Sequence, residues 1–394
     1  MPSARATPRP APSRALASAG RGLIAALLLA GGCAARAAPP TDLVKHPIIG
    51  LVTMGSEGWF GTGSTPPNRL REARAHPGIY SAVAIDATWQ QLEPQPGVFV
   101  DQAIDAALQR VRAYNRRYPA TPLVVKLRIF AGIQTPPWAL RQVGSVRLLD
   151  RHTWRMVRMP AFWTLAYSVL WTRLQDHLAA VYDVNPLIAE VAVSSCSSFT
   201  AEPTVDGAPV PGNAQRLVAA GYTDAQYTQC LSNAWADYSA WKITPLDEPF
   251  GPVYLAQARH GDRGISVPLM AAFHKALGAR AVLGNQGLRD PIAPGEQATY
   301  AGFRAAYRTA RAAQPPQPWA LEFQTAGPQL VNKRTIAYGI RTYYPTEIEL
   351  WNSRASGHGV ARVSTAQLRR WAHELREDAD DATSTAAPEV EAHG

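Results

Sequence analysis

The sequence is poor in cysteine, with three in 394 residues, and one of them, Cys33, lies among the first forty. So few cysteines exclude a small domain held together by many disulfides. Cys196 and Cys230 remain farther along the chain, and two possibilities stay open for them. They either form a disulfide that ties the end of a strand to the following helix or remain separate thiols, because spacing in sequence does not supply the geometry of a disulfide.

Long apolar segments are also scarce. After residue 40, no stretch is long and apolar enough to span a bilayer. Near the amino terminus, the apolar residues 23–30 follow four arginines and precede small residues, which is the pattern of an export signal. We therefore expect residues 1–40 to be a signal peptide and the protein to be secreted or periplasmic.

Two cleavage sites fit this signal. Residues 35–37 have the small-x-small form of ordinary secretion, which we favour. Residues 30–33 resemble a lipoprotein box with alanine in place of the usual leucine, and this would leave a lipid anchor on Cys33. A membrane partner is expected only in that second case, in which the protein could serve as an anchored adhesion or assembly scaffold.

Several functional motifs are missing from the sequence. The nine histidines show no metal-ligand spacing, no serine stands in Gly-x-Ser-x-Gly, and no basic run is interleaved with aromatic residues. We expect no metal, no cofactor and no nucleic-acid partner.

Acidic residues are fewer than basic ones. Residues 41–376 hold 34 basic and 24 acidic side chains, which is a net charge of +10. This charge favours an anionic partner such as an acidic polysaccharide or a membrane surface, or it is a basic surface without a special role.

The sequence does contain a regular succession of short apolar runs, most of them followed by a helical pattern. Eight runs read as strands, at residues 46–53, 81–87, 122–130, 188–194, 252–257, 279–283, 319–325 and 346–351. Repetition of strand and helix predicts parallel strands with right-handed crossovers. The predicted fold class is α/β, a (β/α)₈ TIM barrel forming a single catalytic domain over residues 41–376. An open doubly wound sheet is the alternative, but Gly-x-Gly-x-x-Gly is missing after the first strand. The acidic residues 377–394 are expected to be a disordered tail.

A parallel barrel places its chemistry at the carboxyl ends of its strands. Two glutamates, Glu202 and Glu322, follow or end apolar runs there, and we predict that they are a catalytic pair. Carboxylates, amides and tryptophans gathered at one mouth suit a sugar better than a phosphate. The predicted substrate-binding residues are Trp89, Arg128, Trp138, Gln257, Asn285, Glu349 and Trp351, and Glu57 belongs to the same mouth.

Three segments carry a resemblance to a known family. Residues 89–97 with Ile104 and Asp105, residues 201–203, and the strands with Glu322 and Trp351 resemble the (β/α)₈ retaining glycoside hydrolases, whose acid/base and nucleophile lie on strands four and seven. The resemblance implies that Glu202 is the acid/base, Glu322 the nucleophile and Trp351 the platform under the sugar. It implies a β-linked oligo- or polysaccharide as substrate, without a cofactor.

One position departs from the family pattern. Such enzymes usually have asparagine directly before the acid/base, whereas this chain has Ala201. Either another side chain such as Asn285 contacts the sugar, or the substrate lacks that contact, or the barrel binds carbohydrate without cleaving it. Purely structural roles also stay open for three of the predicted binding residues: Glu349 would pair with Arg128, and Trp89 and Trp138 would pack within loops.

Overall fold

The structure is a computed structural model. It describes residues 43–54, 70–151, 153–203, 209–251, 253–290, 320–352 and 358–384. The predicted signal peptide with Cys33, the loop with Glu57 and the last ten residues lie outside these ranges. The chain from Pro39 to Gly394 forms one compact unit.

Eight parallel strands close into a barrel, which confirms the predicted (β/α)₈ fold. The barrel strands are β1 (Gly50–Met54), β2 (Tyr80–Thr88), β3 (Val124–Phe130), β6 (Ile188–Ala192), β7 (Leu246–Pro249), β10 (Ala281–Gly284), β11 (Ala320–Gln324) and β12 (Glu347–Trp351). In order around the barrel, β1 is followed by β12, β11, β10, β7, β6, β3 and β2, and β2 returns to β1. Two additional antiparallel hairpins lie outside the barrel among the described residues. The hairpins are β4 (Ser145–Leu149) with β5 (Met156–Pro160), and β8 (Val253–Leu255) with β9 (His260–Asp262).

Helices follow the strands and cover the barrel. Thr164 and Asn332 begin two of them with side-chain caps, which satisfy backbone N–H groups of the first turn. None of the described helices combines the length and the apolar character needed to cross a membrane. The helices are α1 (Arg71–Ala75), α2 (Trp89–Leu92), α3 (Gln102–Arg117), α4 (Pro137–Val143), α5 (Leu165–Tyr182), α6 (Asn213–Ala219), α7 (Asp224–Asn233), α8 (Arg263–Leu277), α9 (Lys333–Tyr343) and α10 (Thr365–Ser384).

Alternation along the strands divides the core into two parts. In β3, Val125, Leu127 and Ile129 face the helices and are fully buried, whereas Lys126 and Arg128 face the barrel interior. A small apolar cluster separate from the main core is formed by Ile48, Val52, Ala82, Ala84 and Ala189. The barrel interior around Lys126 and Arg128 is charged.

The predicted fifth strand is wrong. Residues 253–255 of the predicted run form one arm of the hairpin β8–β9, and the fifth barrel strand is β7, whose sequence is Leu-Asp-Glu-Pro. The error has a physical reason: Asp247 and Glu248 make β7 look polar, but both are buried, with Asp247 inside the barrel. The apolar run at residues 252–257 therefore resembles a barrel strand more closely than β7 does, although β7 carries Asp247.

The segment between β3 and α5 contains α4 and the hairpin β4–β5. Ser266 lies inside α8, where its hydroxyl donates to the Gly251 carbonyl at 2.5 Å. The last helix, α10, continues to Ser384, so the predicted disordered tail, residues 377–394, begins with helical residues.

A disulfide joins Cys196 and Cys230, which settles the pairing that the sequence left open. It connects the segment just after β6 to α7. In the same region, Gly132 lies in the turn after β3 with a φ of +46°. A Cβ there would lie 1.7 Å from the Ser198 carbonyl oxygen, which also accepts the Ile133 N–H at 3.0 Å. The turn after β3 and the loop after β6 therefore contact through a position that has no room for a side chain.

We expect Gly132→Ala to lower the free energy of unfolding by about 2–4 kcal/mol, because it adds a backbone clash to the cost of a left-handed alanine. Urea unfolding followed by circular dichroism measures the change. Gly97→Ala is the matched control: its φ is +72°, but no atom lies within 4 Å of the added Cβ, so only the conformational cost of about 1–2 kcal/mol remains. Equal losses in the two variants would contradict the proposed clash.

Candidate functional site

The centre of the charged interior is Lys126 on β3, which is fully buried. Its Nζ lies 2.7 Å from Asp247 Oδ2, 2.8 Å from Glu347 Oε1, 3.1 Å from Glu349 Oε1 and 3.9 Å from Glu190 Oε2. Burial acts to lower the pKa of Lys126, but the surrounding carboxylates, with Asp247 first, outweigh it and raise the pKa well above its usual value. Lys126 is therefore a permanent cation that links four strands across the barrel.

Arg128 lies two residues farther along β3, one layer closer to the mouth. Its Nη2 donates to both carboxylate oxygens of Glu349 at 2.7 and 2.6 Å. Burial acts to raise the pKa of Glu349, yet Arg128 and Lys126 more than offset it and the pKa falls to about 2. Glu349 is therefore ionised, and the ion pair with Arg128 that the sequence left open is present in the structure.

Glu322 is fully buried on β11. Its Oε2 accepts the Asn285 backbone N–H at 3.0 Å, and the Gln286 amide lies 3.4 Å away. Burial raises the pKa of Glu322 well above its usual range; Lys126 opposes this shift, and the negative charges of Asp247, Glu349 and Glu347 add to it. These surroundings therefore favour the protonated form of Glu322.

Asp247 and Glu322 converge over Gly284, which ends β10 between their two strands. A Cβ at Gly284 would lie 2.5 Å from Asp247 Oδ1 and 2.9 Å from Glu322 Oε2. The glycine is needed for this close approach of the two acids. Among the described residues, Asp247 Oδ1 has no hydrogen-bond partner.

A second acid pair, Glu190 and Glu347, lies lower in the interior. Glu190 Oε1 accepts the Ile48 N–H at 2.7 Å. Burial raises the pKa of Glu190 well above its usual value, and the charge of Glu347 adds to that shift. Burial also raises the pKa of Glu347, to about 7, against the opposing effect of Lys126. Both shifts favour protonation within the pair.

Glu202 lies in the loop after β6 and is partly exposed. Its charge acts on Arg128 and contributes to the raised pKa of that guanidinium, after the larger contributions of Glu349 and Asp86. Glu322 in turn interacts electrostatically with Glu349, the partner of Arg128. The charges of the two predicted catalytic acids thus act on the same ion pair, Glu202 on Arg128 and Glu322 on Glu349.

The predicted sugar-binding role of Trp89 and Trp138 does not agree with their surroundings. Trp89 has no exposed surface and packs edge-on against Trp138, Tyr167 and Trp171. The indole N–H of Trp89 donates to Glu93, and that of Trp138 donates to the Glu93 carbonyl. These tryptophans anchor α2 and α4 against α5, so they have no free face for a sugar ring.

Two other predicted residues are also placed differently. Gln257 lies in the exposed turn of β8–β9, where its Oε1 accepts the Asp224 N–H at 3.0 Å. The misplaced fifth strand explains this error. The Asn285 side chain is used by the backbone: its Nδ2 donates to the Phe250 carbonyl and its Oδ1 accepts the Gly287 N–H, both at 2.8 Å. The backbone N–H of Asn285 therefore binds Glu322. Its side chain is occupied by backbone groups and does not replace the asparagine that such enzymes usually have where this chain has Ala201.

Trp351 ends β12, with its indole N–H donating to the Thr325 carbonyl at 2.8 Å. It is 7% exposed at the carboxyl end of the barrel. Beside it in the neighbouring strand, Gln324 pairs in register with Glu349. The Oε1 atoms of Gln324 and Gln286 have no hydrogen-bond partner among the described residues. These two amides are polar groups available to a ligand, and the sequence analysis did not select them.

Four charged residues of the interior were also missed: Lys126, Asp247, Glu190 and Glu347. Two of them have a sequence signal. Lys126 and Arg128, like Glu347 and Glu349, are two residues apart within apolar runs, so each pair lies on one face of its strand. Polar residues with that period in a strand buried on both sides indicate a charged barrel interior.

No protein-family model matches the sequence, and neither does any curated protein sequence. Solved structures with a similar course of the chain include the exo-β-1,4-mannosidase from Opitutaceae bacterium strain TAV5, at 11% identity and a TM-score of 0.45, covering 88% of this chain and 63% of that one. Endo-glycoceramidase II from Rhodococcus sp. has 14% identity and a TM-score of 0.48, covering 83% and 80%. The catalytic domain of β-amylase from Paenibacillus polymyxa has 10% identity and a TM-score of 0.47, covering 88% and 100%.

The chain thus spans 63% of the length of the mannosidase. At these identities the likeness concerns the course of the backbone and not the side chains. The fold is that of a (β/α)₈ barrel, and its interior is charged.

We expect Lys126→Met to destabilise the protein by about 3–5 kcal/mol at pH 8, because it leaves buried carboxylates without their cation. The loss should shrink as the pH falls toward 5, since protonation of Asp247 and Glu347 removes the uncompensated charge. Urea unfolding of both proteins at a series of pH values measures this difference. A loss that is independent of pH would show that Lys126 contributes through packing and not through its charge.

Proposed function

We propose that the protein is a glycoside hydrolase that cleaves a β-linked glycan by a retaining mechanism with Glu202 and Glu322. The observation that supports the proposal is the electrostatic interaction of both acids with one ion pair of a closed barrel: Glu202, in the loop after β6, acts on Arg128, and Glu322, on β11, acts on Glu349. The carboxyl end is where barrel enzymes bind substrate.

In the proposed reaction, Glu202 donates its proton to the glycosidic oxygen while a carboxylate oxygen of Glu322 attacks the anomeric carbon. The bond to the leaving group breaks, and a glycosyl ester forms on Glu322. Glu202, now ionised, then takes a proton from water, whose oxygen attacks the same carbon and releases Glu322. Two displacements at one carbon retain its configuration, and this route requires the carboxyl groups to lie about 5–5.5 Å apart.

Glu322 must lose its proton before it can attack. Lys126 and the Asn285 N–H favour its ionised form, whereas burial and the acids Asp247, Glu347 and Glu349 favour its protonated form. Activity on the acidic side of the pH profile is therefore governed by ionisation of Glu322. The acidic limb should lie above the usual pKa of a glutamate.

Export remains part of the proposal. The disulfide between Cys196 and Cys230 supports it, because such bonds persist in oxidising compartments. The mass of the mature amino terminus distinguishes cleavage after Ala37 from a lipid anchor on Cys33.

A second candidate function is a carbohydrate-binding barrel without turnover. Two observations favour it: Ala201 stands where retaining enzymes have asparagine, and Glu322 has no exposed surface. In this case the amides of Gln286 and Gln324 would bind sugar hydroxyls while the buried acids serve stability alone.

We expect Glu202→Gln to lower kcat on aryl β-glycosides by about 10²–10⁴-fold, the usual contribution of an acid/base group. Glu322→Gln should abolish turnover, because an amide cannot form the glycosyl ester. Kinetics on a panel of aryl β-glycosides, with the first-formed anomer identified by NMR, measure both effects and the stereochemistry. Glu374→Gln on α10, outside the site, is the control for loss of one glutamate charge.

Glycan binding by the Glu322→Gln variant separates the two candidate functions. An active wild type with an inactive variant that still binds glycan supports the hydrolase. A wild type that binds glycan but turns over none of the panel supports the binding protein and contradicts the proposed catalysis.

We expect Asp247→Asn to move the acidic limb of kcat/KM to lower pH. The substitution removes a negative charge that faces Glu322 and leaves more of the Lys126 charge to act on it, so the pKa of Glu322 falls. The pH profile of kcat/KM reports the free enzyme. Asp176→Asn, at an exposed position of α5, is the matched control. A shift of the basic limb instead would assign the proton-donor role to Glu322 and reverse the two proposed roles.

A further inference from the structure

The hairpin β4–β5 presents two different faces. Its inner face packs into the core through Val146, Leu148 and Met159, all buried. Its outer side and the adjacent end of α4 are strongly basic and exposed. The arginines of this region are Arg141, Arg147, Arg151, Arg155 and Arg158, all exposed.

Two of these arginines, Arg147 and Arg158, are directly opposite each other in the antiparallel pair. Like charges in such a cross-strand position are destabilising. Among the described residues, no acidic side chain pairs with Arg147, Arg155 or Arg158. The one acid of the hairpin, Asp150, is buried and accepts the Thr153 hydroxyl at 2.6 Å. The outer face therefore carries positive charge that is not offset locally.

An aromatic side chain stands at the tip of this face. Trp154 is 69% exposed, with a φ of +54°, a region that bulky residues rarely adopt. The turn holds this conformation through the Trp154 N–H, which donates to the Asp150 carbonyl at 2.8 Å. Exposure of a tryptophan together with an unfavourable backbone conformation, between Arg151 and Arg155, indicates a surface that acts on a ligand.

The hairpin is joined to elements that neighbour candidate site residues in the chain. It follows β3, which carries Arg128, and it is tied to α6 by Asn213, whose side chain bonds both the N–H and the carbonyl of Leu149 at 2.8 and 2.9 Å. Helix α6 follows the loop that contains Glu202. Its Arg216 is exposed and donates to Asn213 Oδ1 at 3.2 Å, so the basic surface continues along α6.

We propose that the outer face of β4–β5, with Arg147, Arg158 and Trp154, binds an acidic polysaccharide that extends from the barrel mouth. Guanidinium groups bind carboxylate or sulfate groups through paired hydrogen bonds, and an indole face covers the C–H face of a sugar ring. A chain with repeated negative charges matches several arginines spread along one surface. The inference deepens the proposed function, on which it rests, by naming an anionic glycan as the substrate class.

The test measures binding of the mature Glu322→Gln protein to polygalacturonate and to a neutral β-glucan by affinity electrophoresis. In that background, Arg147→Gln with Arg158→Gln should weaken binding to polygalacturonate by about three- to tenfold and leave binding to the neutral polymer unchanged. The matched control is Arg112→Gln with Arg116→Gln, which removes two exposed arginines from α3. Trp154→Ala should weaken binding, and Trp154→Phe should retain most of it.

Three results would overturn the inference. One is no preference for the acidic polymer; another is equal weakening by the α3 control, which would reduce the effect to net charge. The third is that the protein binds anionic phospholipid vesicles through Arg147 and Arg158 more tightly than it binds polygalacturonate. Turnover of neutral aryl β-glycosides by the wild type is measured separately. A protein that neither binds polygalacturonate nor turns over these glycosides rejects the hydrolase. A protein that turns them over without binding polygalacturonate rejects this surface alone.

Discussion

The structure depends on one buried ammonium group. Transfer of a single charge from water into a protein interior costs several kcal/mol, so acids from four strands can share the barrel interior only around a cation. Lys126 supplies it, with contacts to Asp247 on β7, Glu347 and Glu349 on β12, and Glu190 on β6. The contacts with Asp247, Glu347 and Glu349 connect β3 with strands that are not its neighbours in the sheet, whereas Glu190 belongs to the neighbouring strand β6. The same interaction that allows the acids to be buried thus also fixes the faces that the strands turn inward.

The interior holds more acids than cations. Five acids, Glu190, Asp247, Glu322, Glu347 and Glu349, surround two cations, Lys126 and Arg128. The surplus is resolved by position. Glu349 contacts both cations, which lower its pKa, whereas Glu322 and Glu190 contact neither within hydrogen-bond distance, and burial raises their pKa values. Separation of protonation states among neighbouring carboxyl groups is what acid–base chemistry at one site requires.

The sequence was sufficient for the fold but not for all of the site. Seven barrel strands were found because parallel strands are covered on both faces and read as apolar runs. The fifth failed because Asp247 and Glu248 are buried acids, and pattern reasoning places acids outside. Arg128, Glu322 and Glu349 were predicted from their places at strand ends, and the structure brings the three together in the barrel interior, where Arg128 pairs with Glu349. Trp89 and Trp138 follow strand ends as well, but the direction of their side chains is set by packing against α5, which no local pattern contains.

The charges of the interior and those of the hairpin act over different ranges. Inside the barrel, opposite charges meet at 2.6–3.1 Å and largely cancel at a distance. Arg147 and Arg158 of β4–β5 are exposed and have no acidic partner among the described residues, so their field reaches the solvent, over a Debye length of about 8 Å at physiological salt. Salt screens exposed charges far more than buried pairs. In the proposed function, a substrate would therefore be attracted by the hairpin β4–β5, whose charges respond to ionic strength. It would be transformed in the barrel interior, whose buried charges do not respond. These two parts are independent in sequence as well, since the hairpin is an insertion between β3 and α5, whereas the buried charges belong to the barrel strands themselves.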